Sequence, residues 1–200
     1  MEPKKFFLVV FAACVFSFII LYYFAKESYL YEAPVHIGFF SAAMFFLWKK
    51  DARTTVKSLG IPGNLKKNII AVVGGFIAIT IALYIVSYAL WSFEIDDQRE
   101  VTELVNKLPL YLLVMAVFFA PFSEELFFRA FLVPKVGIFG SSILFALMHL
   151  SYGSVSEIAG AFTIGLILAV VYKYSKSIIP PIAIHMGFNL VAITVMLGYG

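Results

Sequence analysis

The sequence predicts an all-α membrane protein, a polytopic helical bundle of about seven transmembrane helices with its N-terminus in the cytoplasm. Three observations predict it. The 200 residues are 62% hydrophobic and only 14% charged, where a soluble domain of this size carries about 25% charged residues. Mean hydropathy is +0.95. The apolar residues fall into runs near the ~20-residue length that crosses a bilayer as a helix. The whole chain, 1–200, reads as a single transmembrane domain without repeats, low-complexity tracts or a soluble module.

Taken in order, the spans fall at about 6–25, 31–48, 69–91, 108–133, 137–150, 157–173 and 178–198. The first is too long for a signal-peptide core and no small-residue cleavage site follows it, so it reads as a retained span. The fifth and sixth are short, as tilted or neighbour-shielded spans are. The polar stretches 49–68 and 92–107 are loops, the former with room for a short surface helix around Gly60, Pro62 and Gly63. Residues 1–107 supply three N-terminal spans, and 108–198 the rest. Gly74, Gly75, Gly160 and Gly165 suit close helix packing. Tyr22, Tyr23, Trp48, Trp91, Tyr172 and Tyr174 sit near span ends, where interfacial aromatic belts form.

Charge sets the orientation. Lys4, Lys5, Lys49, Lys50, Arg53, Lys57, Lys66, Lys67, Lys135, Lys173 and Lys176 lie at the N-terminus and in alternate loops, 11 of 15 basic residues. By the positive-inside rule that side is cytoplasmic. Glu94, Asp96, Asp97, Glu100 and Glu103 gather in the outer loop. The net charge of +3 therefore reflects topology, and no basic stripe with interleaved aromatics points to nucleic acid. Cys14 is the one cysteine, which excludes an internal disulfide and a multi-cysteine metal site. Oligomeric state has no signature.

The stretch "PFSEELFFRA", residues 121–130, places Glu124, Glu125 and Arg129 inside an apolar span. Each charge costs about 2.5–3.5 kcal/mol near the bilayer centre on insertion scales, so all three must face protein or a wet cavity. Glu125 and Arg129 stand four apart and can pair on one helix face. Glu124 points about 100° away. One carboxylate can hold the arginine while the other looks elsewhere. "FALMHL" sets Phe145 and His149 at i, i+4, and "HMGFNL" sets His185 and Asn189 likewise. At 1.5 Å per residue from the lysine-rich side, Glu124, His149, His185 and Asn189 lie about 15, 18, 10 and 16 Å deep. Polar groups of three helices thus converge on one level. His36, in span two, reads as an ordinary helix–helix hydrogen bonder.

A carboxylate and an imidazole together can polarise a water, and His and Asn donors can stabilise an oxyanion. Those parts suit amide hydrolysis. "EELFFR", "FALMH" and "HMGFN" match EExxxR, FxxxH and HxxxN in order and spacing. In this the chain resembles the CAAX-protease and bacteriocin-processing (CPBP) family of intramembrane endopeptidases, which includes the type II prenyl-protein proteases. The resemblance implies that Glu124 is the general base, working with His149 on the attacking water. It implies that His185 and Asn189 form the oxyanion hole, that Glu125 and Arg129 shape the site or hold substrate, and that Phe145 packs beside the catalytic pair. Ala130 stands where many relatives have glycine. The implied activity is cleavage near the C-terminus of a peptide or lipidated protein of CaaX type; the compact chain, with no targeting signal read in it, is expected in a prokaryotic cell membrane. The active site is expected to open toward the cytoplasm, with membrane lipids as further partners.

No cofactor is expected. A zinc ion, the alternative, would take Glu124, His149 and His185 as ligands with a water in the fourth position, although no HExxH is present. Two other functions compete: a non-catalytic bacteriocin-immunity or scaffold protein on the same fold, and an ion or proton transporter using the intramembrane Glu and His. The transporter reading lacks inverted repeats.

Overall fold

A computed structural model describes residues 32–47 and 52–198. The first span, with Cys14, Tyr22 and Tyr23, lies outside them, as does Trp48. The described residues are mostly helical, with no strand among them. The elements are α1 (Glu32–Leu47), α2 (Ala52–Ser58), α3 (Leu65–Ser92), α4 (Gln98–Asn106), α5 (Leu110–Glu125), a wider i→i+5 helix (Leu126–Leu132), α6 (Val133–Met148), a 3₁₀ turn (His149–Tyr152), α7 (Val155–Ser175) and α8 (Ile179–Gly198). Four stretches are long and apolar enough to cross a membrane: 65–92, 110–152, 155–175 and 179–198.

The 110–152 stretch has 43 residues, or ~65 Å if straight, twice a bilayer core. It is not straight. Gly137 sits at φ 75, ψ −179, a conformation reserved in practice for glycine, and the chain reverses there. The Ser141 hydroxyl donates to the Phe128 carbonyl at 2.7 Å, and the rings of Phe128 and Phe145 stand 5.1 Å apart. Spans four and five are therefore the two arms of one hairpin. The helix before the turn runs on to 136 rather than stopping at 133.

The expected boundaries otherwise shift by one to four residues. α3 starts at Leu65 because the Asn64 side chain caps it, accepting from the Lys67 N–H at 2.9 Å. α7 starts at Val155 because Ser154 accepts from the Glu157 N–H at 3.0 Å. The 92–107 stretch, expected as loop, contains α4, whose Val101 and Val105 lie buried one turn apart while Glu100 and Glu103 face outward. The 49–68 stretch contains α2.

α3 shows Ile69, Val73, Ile77, Ile81 and Ile85 on an exposed face at four-residue spacing, and buries Ala71, Gly75 and Ile79. An apolar outer face of this size has no place in water and fits lipid. The inner face meets α7 and α8. A Cβ on Gly75 would stand 2.5 Å from Ile184 Cδ1, and one on Gly165 3.3 Å from Phe145 Cδ1 and Ser142 Cβ. Those two glycines permit close packing. Gly74 has open space beside it, and Gly160 only ordinary contact at 3.7 Å, so the expectation fails for them. Trp91 and Tyr174 are exposed at helix ends, whereas Tyr172 packs against the core rather than in a belt.

The bundle has two unlike ends. At one, the 59–63 turn docks on the turn between α7 and α8: the Ile178 N–H donates to the Leu59 carbonyl at 3.0 Å. Arg53, Lys57, Lys66, Lys67, Lys135, Lys173 and Lys176 belong to this end. Beneath it lies a solid core of Phe39, Leu126 to Leu132, Phe145, Ala146 and Ile178. At the other end, Asp97 joins the loop before α4 to the start of α7. It accepts from the Ser154 hydroxyl at 2.9 Å, from the Ser156 N–H at 3.2 Å and from the Val155 N–H. Burial works to raise the Asp97 pKa, but hydrogen bonds from Ser156, Ser154 and the backbone outweigh it and hold the carboxyl below its ordinary 3.8.

Candidate active site

The centre of the site is the junction of α5 with the i→i+5 helix. An i→i+5 turn is wider than an α-turn and is often found at functional sites. Here it follows directly after the two glutamates. Glu125 is fully buried and turned away from the cavity. Its Oε2 lies 2.9 Å from Arg129 Nε, an ion-pair contact at an angle outside that of a hydrogen bond, and no nitrogen of the guanidinium has a hydrogen-bond partner. The cation rests instead on aromatic faces, 4.6 Å from the centre of the Phe145 ring and 5.9 Å from that of Phe128. The other Glu125 oxygen, Oε1, accepts from His185 Nδ1 at 2.9 Å.

Glu124 faces the other way, into a cavity of about 450 Å³ whose wall also includes His36, Phe145, His149, His185 and Asn189. Its side chain keeps 13% exposure. Each carboxylate oxygen has an imidazole nearby. Oε1 lies 3.6 Å from His36 Nδ1 and Oε2 lies 3.8 Å from His185 Nε2. The structure thus gathers Glu124, His149, His185, Asn189 and Phe145 around one cavity. It leaves Glu125 and Arg129 behind the wall, where they shape the site rather than touch its contents.

Hydrogen bonding sets the imidazole tautomers. A carbonyl or carboxylate oxygen can only accept from N–H. His149 Nδ1 lies 2.9 Å from the Phe145 carbonyl, so it carries the hydrogen and Nε2 is left for chemistry. His185 Nδ1 likewise donates to Glu125, leaving Nε2 toward Glu124. Orienting one ring nitrogen by a bond to the other is the usual way a protein aims a functional histidine. Asn189 Nδ2 donates to the Ala116 carbonyl at 3.0 Å, which uses one of its two N–H groups and ties α8 to α5. Phe145 packs against both histidines, with ring centres 4.8 Å from His149 and 5.8 Å from His185.

His36 was read from sequence as a packing residue, and the structure puts it in the cavity wall. The Ser123 hydroxyl spends its hydrogen on the Ala120 carbonyl at 3.0 Å, so Ser123 Oγ accepts from His36 Nδ1 at 3.2 Å. That same N–H points at the edge of Glu124. Nothing in a lone histidine 88 residues before Glu124 signals this; only the packing of α1 along α5 does. Phe39 stacked on Phe127 at 4.9 Å helps to hold α1 in that position.

Among the described residues no three His, Cys, Asp or Glu side chains converge as a metal-ligand set. The cavity wall comes from Leu83 to Leu90 of α3, from α4, from α5 along its length to Glu124, from the first turns of α7 and from His185 to Met196 of α8, with His36, Phe145 and His149 at its floor. Glu124, His149, His185 and Asn189, expected at one level from their positions along three helices, line this one cavity.

No curated protein and no solved structure matches the chain. Residues 106–191, which run from the end of α4 into α8 and contain every motif residue, match the family model described as Type II CAAX prenyl endopeptidase Rce1-like. Over that stretch the chain is similar to this family.

Proposed function

We propose that this protein is a glutamate-dependent intramembrane endopeptidase. The observation that carries the reading is the division of labour between two adjacent carboxylates. Glu125 is neutralised by Arg129, while Glu124 is left at a cavity between imidazoles. A structural ion pair needs one acid; the second, kept 13% exposed beside His185 and His36, is in position to take a proton from water.

The reaction follows from these groups. A water in the cavity gives a proton to Glu124, with His149 Nε2 as the second polarising group. The hydroxide adds to a peptide carbonyl. The negative charge that forms on the carbonyl oxygen is met from α8 by the second N–H of Asn189 and by His185 in its doubly protonated form, whose Nδ1–H stays on Glu125 while its Nε2–H turns to the oxygen. The proton on Glu124 then passes to the leaving nitrogen, and the C–N bond breaks to give a carboxylate and an amine. His185 keeps its ring orientation through Glu125, and Glu125 keeps its charge through Arg129. The substrate class supported by the family is a C-terminal CaaX-type peptide, prenylated or otherwise anchored. No metal enters any step.

The test is cleavage of a quenched fluorescent farnesylated CaaX peptide by purified protein in detergent. Wild type, Glu124→Ala and His149→Ala are compared with and without a chelator. The expected outcome is activity in wild type that survives chelation and falls at least ~10²-fold in either variant, the usual scale of a lost general base. Activity abolished by chelator and restored by zinc would replace the metal-free reading. Undiminished cleavage by Glu124→Ala would sink the glutamate mechanism.

A further inference from the structure

We propose that Glu157 selects the substrate, taking a cationic side chain about two residues from the bond that is cut. The inference rests on the protease reading above and adds to it a position and a charge. α7 lines the cavity with Glu157, Gly160, Ala161 and Ile164, the i, i+3, i+4, i+7 face of a helix. Of these only Glu157 is charged. Among the described residues that line the cavity, Glu124 and Glu157 are the carboxylates and none is a lysine or arginine. The other polar side chains on this stretch of wall, Gln98, Tyr152 and Ser156, are uncharged.

The register of α6 against α7 fixes the distance. The two helices run antiparallel about the 149–154 turn. A Cβ on Gly165 would stand 3.3 Å from Phe145 Cδ1, so those two residues share a level. His149, one turn after Phe145, reaches the level of Ala161, one turn before Gly165. Glu157 lies a further turn on, ~6 Å beyond the imidazole that helps to polarise the water. An extended peptide rises ~3.3 Å per residue, so a side chain two residues from the scissile bond reaches Glu157. The Glu157 carboxylate is available to it. Its backbone N–H donates to Ser154 Oγ at 3.0 Å, but the carboxylate makes no hydrogen bond or ion pair among the described residues. Asp97, by contrast, is held by Ser154, Val155 and Ser156.

Glu157 is half-buried, and a carboxylate in such a cavity attracts a cation, and repels an anion, more strongly than one in bulk water. A substrate cut near its C-terminus carries a free carboxylate shortly beyond the bond. Laid along α7, that end would meet like charge, so the residues before the bond lie there instead. The substrate class assigned here is a membrane-anchored peptide with lysine or arginine at the second residue before the cut. A glutamate in the first turn of a helix also suits the helix dipole. That role acts on stability and has no bearing on which peptide is cut.

The test uses quenched fluorescent farnesylated CaaX peptides that differ only in lysine, glutamine or glutamate at the second residue before the scissile bond, cleaved by the full chain in detergent. We expect wild type to favour lysine over glutamate by at least ~10-fold in kcat/KM, because the swap exchanges attraction for repulsion. The ratio should fall toward one in Glu157→Gln and invert in Glu157→Lys. Equal kcat/KM for all the peptides in wild type, or a lysine preference that survives Glu157→Gln, overturns the proposal. Retention of the same peptides on immobilised Glu124→Ala protein, with and without Glu157→Gln, needs no cleavage and should show the same order. If wild type cuts none of them, the protease reading falls. Equal retention of all the peptides then overturns the assignment of Glu157 as well, whereas lysine-selective retention that Glu157→Gln abolishes upholds it.

Discussion

Glu124 and Glu125 are the same residue type one position apart, and the fold gives them opposite surroundings. Their variants should fail in different ways. Glu124→Gln removes a charge that is partly exposed to the cavity, so it should fold with unchanged thermal stability and lose ~10²–10⁴ in kcat. Glu125→Gln leaves a fully buried guanidinium unpaired and weakens the acceptor that orients His185. Breaking a buried pair costs about 3–5 kcal/mol, so thermal unfolding in detergent should drop clearly and expression should fall with it. Equal stability of the two variants would contradict the division of roles. His36→Gln should lower kcat with little effect on KM, since His36 bears on Glu124 from beside the reaction rather than on the body of the substrate. Arg129→Lys should not rescue Arg129→Ala, because an ammonium cannot spread over the Phe145 face as a planar guanidinium does.

At the scale of elements, the joints matter more than the spans. Asp97 ties the loop before α4 to the start of α7 through three hydrogen bonds, and so positions the roof of the cavity. Asp97→Ala should cost about 1 kcal/mol, the usual value of a lost helix cap, and should raise KM through a loosened α4. Because its folded pKa lies below 3.8, its stabilisation is complete above the ordinary Asp range. It is lost only as pH falls through the lowered folded value. Stability of wild type minus that of Asp97→Asn, measured by unfolding, should be flat at neutral pH and shrink only below about pH 4. Gly60→Ala sets a Cβ against the Lys176 carbonyl at a residue with φ 70, and a strained position of that kind costs about 1–3 kcal/mol. It should loosen the packing of the 59–63 turn against the turn between α7 and α8 and lower stability without altering Glu124.

At the scale of the whole molecule, the Rce1-like segment is not self-sufficient. It spans residues 106–191, yet α3, outside it, packs against both α7 and α8 with Gly75 and Ile79 in the seam. α1, also outside it, brings His36 to Glu124 and stacks Phe39 on Phe127. A chain beginning at residue 52 should therefore show weaker thermal stability and lose cleavage, even though every motif residue is retained. Full activity of that fragment would show that α1 is only a neighbour. The two unlike ends of the bundle, one basic and one acidic, are likewise a property that no single element holds.

The sequence by itself determined the long apolar helices among the described residues, their approximate ends, the lysine-rich side and the convergence of Glu124, His149, His185 and Asn189. These rest on local rules: the apolar length that spans a bilayer, the i, i+4 face of a helix, and the charge of short loops. Glu125 beside Arg129 was legible for the same reason, being four residues away. The tertiary structure alone decided that His185 bonds to Glu125 across 60 residues, that His36 enters the site, and that α4 covers it. It alone decided that the chain reverses at Gly137. Each of these depends on which helix faces which, and at what rotation. Spans that are apolar around most of their circumference carry little periodic signal for that choice. Packing of glycines, aromatic rings and a few buried polar pairs settles it instead.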